Sequence, residues 1–380
     1  VRARVGLLLS GVLLAVLLRS GAPADPAPIS HDDTFSKAGL FKADVATLKD
    51  TELVPHPDTP LRDNENVLWC GTFQLAWNQA ITLVGEKLHF VSQPPLVNLL
   101  NLESFTAQDL DPASYVAVAD FERNNVEDEI RAALERTFQG AASPELIPPK
   151  PPHPGPDDFV AYAYLYKNLA FPQPFADNEA LSFGAQKVEN FGFVRDKDKL
   201  DYGVFRQVSI YDYQSKDDFI IQLKTKSPED ELILAKVAPA KTLQATIQYV
   251  MARMGRNKAV PANKRDTLAI PKLNFDLRED FGALEGLVLQ PTPAARVKSP
   301  LVIAKAEQLV RFQLNEKGAI LKSEAVIVMV AAVLNANAPQ PRQMIFDKPF
   351  LILMKQAKAD QPYFALWVGN ASLLVPAGGG

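Results

Sequence analysis

Asn315-Glu316-Lys317-Gly318, a long apolar-rich run, Asp347-Lys348-Pro349-Phe350, and finally Ala365-Leu366-Trp367-Val368-Gly369-Asn370 decide the reading of this chain. In physical terms this is a buried strand that stops at a glycine-marked hinge, a long connection, and two β-rich closing segments. No pattern of active-site residues elsewhere competes with it.

The chain has 380 residues, 47% of them hydrophobic, enough to bury a large core in one big domain or two. A formal net charge of −4 argues against non-specific nucleic-acid binding, which needs a basic surface. The single cysteine, Cys70, excludes an intramolecular disulfide framework. It lies in Trp69-Cys70-Gly71, inside an apolar run, and reads as a small buried hydrophobe.

At the start, Arg2 and Arg4 precede an apolar run from Val5 to Leu18 and then Ala22-Pro23-Ala24. That is the order of a secretory signal peptide, and the run is shorter than the about 20 residues that cross a bilayer. The expected layout is a signal peptide over 1–24, a linker over 25–43 and a folded domain over 44–376, exported to the periplasm or the exterior.

Residues 44–54 have weak helical character, ended by Pro55-His56-Pro57. Asn66-Val67-Leu68-Trp69 leads into a core helix with Phe73, Ala76, Trp77, Ala80 and Leu83 on one face. Val126, Ile130, Ala133, Leu134 and Phe138 form the stripe of an amphipathic helix over 124–140. A proline-rich spacer follows over 144–156. Residues 159–166, Phe-Val-Ala-Tyr-Ala-Tyr-Leu-Tyr, read as a central strand buried on both faces. Further strands are expected at 204–210, 219–223, 231–237 and 268–275, with a helix at 242–254.

This order of motifs resembles the serpin family, and the chain looks like a divergent, bacterial-type member with a non-standard hinge. The resemblance covers most of residues 60–375. It rests on the C-terminal motifs, on Leu268-Ala269-Ile270-Pro271-Lys272-Leu273, on the strand–helix block around Trp69, and on the aromatic strand before Pro174-Phe175. It implies an α+β fold, a large mixed sheet with surrounding helices and an exposed reactive-centre-type loop. The stretch 87–156 is short for the family's full set of helices. Three positions of the family's hydrogen-bonded shutter depart from its pattern: Cys70, Tyr162 and Gln308 stand where Ser, Asn and His would fall.

The implied function is serine-protease inhibition. A protease cuts the loop, and the loop inserts into the main sheet as a strand before the acyl-enzyme is hydrolysed. The hinge would be Glu316, Lys317, Gly318, Ala319, Ile320 and Leu321. Taken at period two, Ala319, Leu321, Ser323, Ala325, Ile327 and Met329 make one face compatible with a core. Lys322 and Glu324 fall on the other face and need water or a partner there. Ile320-Leu321-Lys322 is bulkier than the small residues that inhibitory members carry, which slows insertion. The cut is expected within Ala331, Ala332, Val333, Leu334 and Asn335, whose small apolar side chains suit an elastase- or subtilisin-like protease. The alternative is a non-inhibitory serpin-fold protein that binds or supports. Either would act as a monomer without nucleic acid, a membrane span or a cofactor.

Enzyme chemistry finds no residues here. There is no G-x-S-x-G, H-E-x-x-H, Walker A or G-x-G-x-x-G pattern. The four histidines are scattered; His31-Asp32-Asp33 reads as a solvated linker cluster and no metal site is expected. Glu279-Asp280 reads as a pair of helix-start or surface acids. Arg253, Arg256, Lys258, Lys264 and Arg265 read as a solvated basic face after a helix.

Overall fold

The computed structural model describes residues 30–193, 201–319 and 341–378. Its strands, β1 to β23, and helices, α1 to α5, are numbered along the chain. The fold is α+β, as the sequence implies, with a large mixed sheet at its centre.

That sheet has eight strands in the order β14 (Val260–Pro261), β11 (Val208–Ser215), β12 (Asp218–Leu223), β13 (Asp230–Lys236), β22 (Phe350–Gln356), β23 (Pro362–Val368), β3 (Asn66–Cys70) and β2 (Thr51–Val54). All its pairs are antiparallel except β2 with β3. Strand β23, Pro-Tyr-Phe-Ala-Leu-Trp-Val, is buried at every position, because a central strand covered on both faces has no use for alternation. The motifs Asp347 to Phe350 and Ala365 to Asn370 thus bracket the middle of this sheet.

A four-stranded sheet runs β21 (Gln343–Ile345), β15 (Thr267–Pro271), β10 (Asn190–Phe193) and β7 (Ala176–Asp177). A three-stranded one runs β1 (Phe41–Asp44), β16 (Leu273–Asp280) and β19 (Glu307–Leu314). Two-stranded pairs join β4 (Tyr115–Phe121) with β5 (Phe159–Leu165), β6 (Leu169–Ala170) with β20 (Gly318–Ala319), β8 (Leu181–Phe183) with β9 (Gln186–Val188), and β17 (Val288–Leu289) with β18 (Leu301–Val302).

Helix α1 (Thr72–Val84) packs behind β4, β5 and β19, and α2 (Pro95–Leu100) shares its apolar cluster. Helix α3 (Val126–Phe138) covers the opposite face of β4 and β5, setting Val126, Ile130 and Leu134 against Val116 and Tyr162. Both lie where the apolar spacing puts them. Helix α4 (Tyr202–Arg206) precedes β11, and α5 (Leu243–Arg256), capped by the Thr242 hydroxyl, packs on it.

Several expectations are corrected. Residues 44–54 form a 3-10 turn and strand β2, since pairing with β3 buries Leu53 and Val54 and outweighs a weak helical preference. The Asp201 carboxylate caps α4, so the strand expected at 204–210 starts at Val208. The strand expected over 268–275 is two, divided at Lys272 between β15 and β16. Glu279 and Asp280 end a strand, not begin a helix. Arg253 is buried, with Asp212 at 2.8 Å and Asp218 at 2.6 Å, and so is not part of a solvated face. Strand β5 is mostly half-buried, with Tyr162 alone fully inside, because among the described residues it has a strand neighbour on one edge only.

Candidate functional site: the hinge and the gap beside it

Strand β19 ends at Leu314 and the chain reverses over Asn315 to Gly318. Asn315 and Gly318 exchange both backbone hydrogen bonds at 3.2 Å, and the Asn315 carboxamide accepts from Lys317 N at 3.0 Å. Gly318 then pairs with Ala170 and Ala319 with Leu169, antiparallel. Two more backbone bonds fasten the turn, Phe171 N to Lys317 O at 3.0 Å and Phe175 N to Glu316 O at 2.8 Å. Gly318 has φ +115, and a Cβ there would lie 2.5 Å from Leu169 O and 2.8 Å from Ala170 Cα. Backbone cannot give way as a side chain can, so the position needs glycine. The Glu316 carboxylate accepts from the Lys272 ammonium at 3.0 Å, and Lys272 also holds Asp177 at 2.7 Å.

Beside the hinge is a gap. Among the described residues, strand β5 pairs only with β4, and β19 only with β16. Between their free edges is a cavity of about 180 Å³, walled by Tyr162 to Lys167 and Leu309 to Phe312, with Cys70 and Tyr363 also lining it. Free strand edges carry unpaired N–H and C=O groups, which makes this a place where a strand can be added.

Residues 30–38 cross the front of the gap. The His31 ring stacks on Tyr166, centroids 3.5 Å apart, and its Nδ1 lies 2.8 Å from the Tyr164 hydroxyl. Asp32 accepts from Arg311 of β19 at 3.1 Å, and that guanidinium sits 4.5 Å over the Phe35 ring. Ser36 N donates to the Gln313 carboxamide, and Asn274 donates to the carbonyls of Ser36 and Ala38. The solvated His31-Asp32-Asp33 cluster expected from sequence is therefore corrected: His31 is 7% exposed. Burial holds its imidazole down at about 4, against a smaller upward pull from Asp32. The Tyr164 hydroxyl is pushed up to about 12, again chiefly by burial.

Of the three shutter-like residues, Gln308 and Cys70 come together. The Gln308 amide donates to Cys70 O at 3.0 Å and to the Thr72 hydroxyl at 2.7 Å, joining β19 to the start of α1. Tyr162 lies apart from that network, in the apolar cluster under α3. Burial raises the Cys70 thiol, so it is a poor nucleophile as it stands. No group of three or more metal-ligating side chains occurs among the described residues.

Hinge residues Glu316, Lys317, Gly318 and Ala319 are thus placed together. Ile320 and Leu321, and Ala331, Ala332, Val333, Leu334 and Asn335, lie outside the described residues. Lys272 was visible in sequence only as part of a Pro-Lys motif, with nothing to link it to Glu316. His31 and Phe35 fall within the expected linker, and the one signal there was the aromatic Phe35 among polar residues.

No family model matches this chain, and no curated protein matches it either. Among solved structures it is similar to a thyroxine-binding globulin in complex with thyroxine, at TM-score 0.45 and 12% identity over 81% of this chain and 93% of that one. It is also similar to Serpin48 of the insect Tenebrio molitor, at TM-score 0.43 and 14% identity over 82% and 92%. Both scores are below 0.5.

Proposed function

We propose that this chain is an exported, monomeric, serpin-like inhibitor of elastase- or subtilisin-like serine proteases, acting through the segment that begins at Gly318. The observation that supports it best is the hinge: Gly318 and Ala319 leave β19 by a tight reversal and already lie as the first two residues of a strand on β6. Beyond them are two edges, β5 and β19, that have no strand partner among the described residues and carry N–H and C=O groups a strand can satisfy. A protease serine attacks a carbonyl within 331–335, releases the new amine end and leaves an ester. The freed segment then adds to those edges before water reaches the ester.

The test is denaturing electrophoresis after mixing the protein with elastase or subtilisin. A stable adduct of summed mass supports the proposal. Clean cleavage without an adduct overturns it, in favour of a non-inhibitory serpin-fold binding protein. One observation favours that second reading: residues 30–38 already cross the gap a strand would have to open.

A further inference from the structure

We propose that residues 30–38 are a strap that bolts β5 to β19 across the gap and keeps it shut until the strap is released. This rests on the loop-insertion reading for its purpose, but the strap itself is defined by geometry alone.

Its attachments fall on both sides of the gap. On the β5 side, His31 N donates to Ala141 O at 2.8 Å, just beyond α3, and the His31 ring packs edge-on against Phe138 of α3. The Ser30 and Ser143 hydroxyls are 2.6 Å apart, and the Thr34 hydroxyl lies 3.0 Å from that of Tyr166. On the other side are Arg311 and Gln313 of β19 and Asn274 of β16. Strand β1 continues from the strap and pairs in parallel with β16, Phe41 to Asp44 against Phe275 to Arg278. The segment is therefore anchored at both ends, with no backbone ladder of its own over the gap. Such a piece can leave without unfolding a sheet, because only side-chain contacts and a few single bonds hold it.

The chemistry at its centre is the His31 ring, a neutral donor–acceptor between two tyrosines. The charged or titratable groups around it are Asp32 on the strap, Tyr164 on β5 and Tyr166 just beyond it, Glu145 beyond α3 and Arg311 on β19. Asp32 is paired with Arg311, and its pull on the ring is smaller than the effect of burial, so the ring stays neutral.

Cys70 lines the cavity behind the strap and is the chain's single cysteine, so it reports opening directly. In the full chain at pH 8, a thiol reagent should label Cys70 at least about tenfold faster in His31→Ala than in wild type. Phe35→Ala, which removes the ring beneath Arg311, should act in the same direction and serves if His31→Ala does not fold. Unchanged labelling in a folded variant overturns the strap. In a Cys70→Ala background, Ser30→Cys with Ser143→Cys should lock the strap on oxidation. The locked form should lose the rise in melting temperature that loop cutting gives, and reduction should restore it. An equal rise in locked and reduced forms overturns the proposal. If cutting raises the melting temperature in no form, loop insertion fails, and Cys70 labelling alone decides the strap.

Discussion

The Lys272 ammonium lies 3.0 Å from the Glu316 carboxylate, joining the link between β15 and β16 to the turn that starts the hinge. Both side chains are mostly buried, so this pair is screened less than a surface one. It fixes where the chain leaves β19, and with it the direction in which Gly318 starts.

Removing that pair should loosen the hinge without dissolving the core. Glu316→Gln is expected to cost about 1–2 kcal/mol, less than a fully buried pair because Asp177 still holds Lys272. Urea unfolding of the two proteins measures it. Lys272→Ala, which takes the cation from Asp177 and leaves Glu316 only the exposed Lys317 at 3.8 Å, should cost more.

Gly318→Ala should detach β20 from β6. Its Cβ meets backbone at 2.5 Å and its φ of +115 is strained for any other residue, together about 1–3 kcal/mol. Hydrogen exchange at Phe171 N, which donates to Lys317 O, should quicken while the β22 and β23 amides stay protected. Unaltered protection at Phe171 would contradict the hinge geometry described.

Much of this fold was legible because its central strands and its helices α1, α3 and α5 carry strong local patterns. Continuous apolar runs such as Phe350 to Met354 have only one way to be buried, and the Val126, Ile130, Leu134 stripe fits only a helix face. The turn over Asn315 to Gly318 was legible for a different reason, since a glycine closes the end of an apolar strand pattern. What sequence hid was pairing at a distance. Strand β2 is a strand because β3 lies beside it, and Arg253 is buried because Asp212 and Asp218 meet it from β11 and β12. His31 looked solvated because its neighbours in sequence are acids, while its neighbours in space are Tyr164 and Tyr166.

The strap should weaken in acid. Released, His31 titrates near its ordinary 6.5; docked, it is held at about 4. The docked form therefore binds fewer protons, and its stability is full above pH 6.5 and is lost as pH falls towards 4. With solvent screening this amounts to about 1–2 kcal/mol. Urea stability of wild type minus that of His31→Phe, followed from pH 7.5 to 4.5, should fall by this amount. A flat difference would contradict the assignment.

Glu122, beside Glu127 at the start of α3, should behave in the opposite sense. Burial first, then the Glu127 carboxylate, push its carboxyl up to about 7. The folded form holds the proton more tightly, so the stabilisation is present below the ordinary 4.5 and is lost as pH rises through 7. Glu122→Gln should gain about 1 kcal/mol at pH 8 relative to its effect at pH 5, after screening. Differential melting at the two pH values checks it.

The central claim is that the segment after Gly318 can become a strand between β5 and β19. Cutting the chain once within residues 331–335 and melting the protein before and after tests it most directly. Insertion would pair the two edges that lack a partner among the described residues and bury apolar side chains such as Leu321 and Ile327, each worth about 1.5–3 kcal/mol when fully buried. The account predicts a markedly higher melting temperature for the cut protein. An unchanged or lower one would mean that no strand is added, and would contradict it.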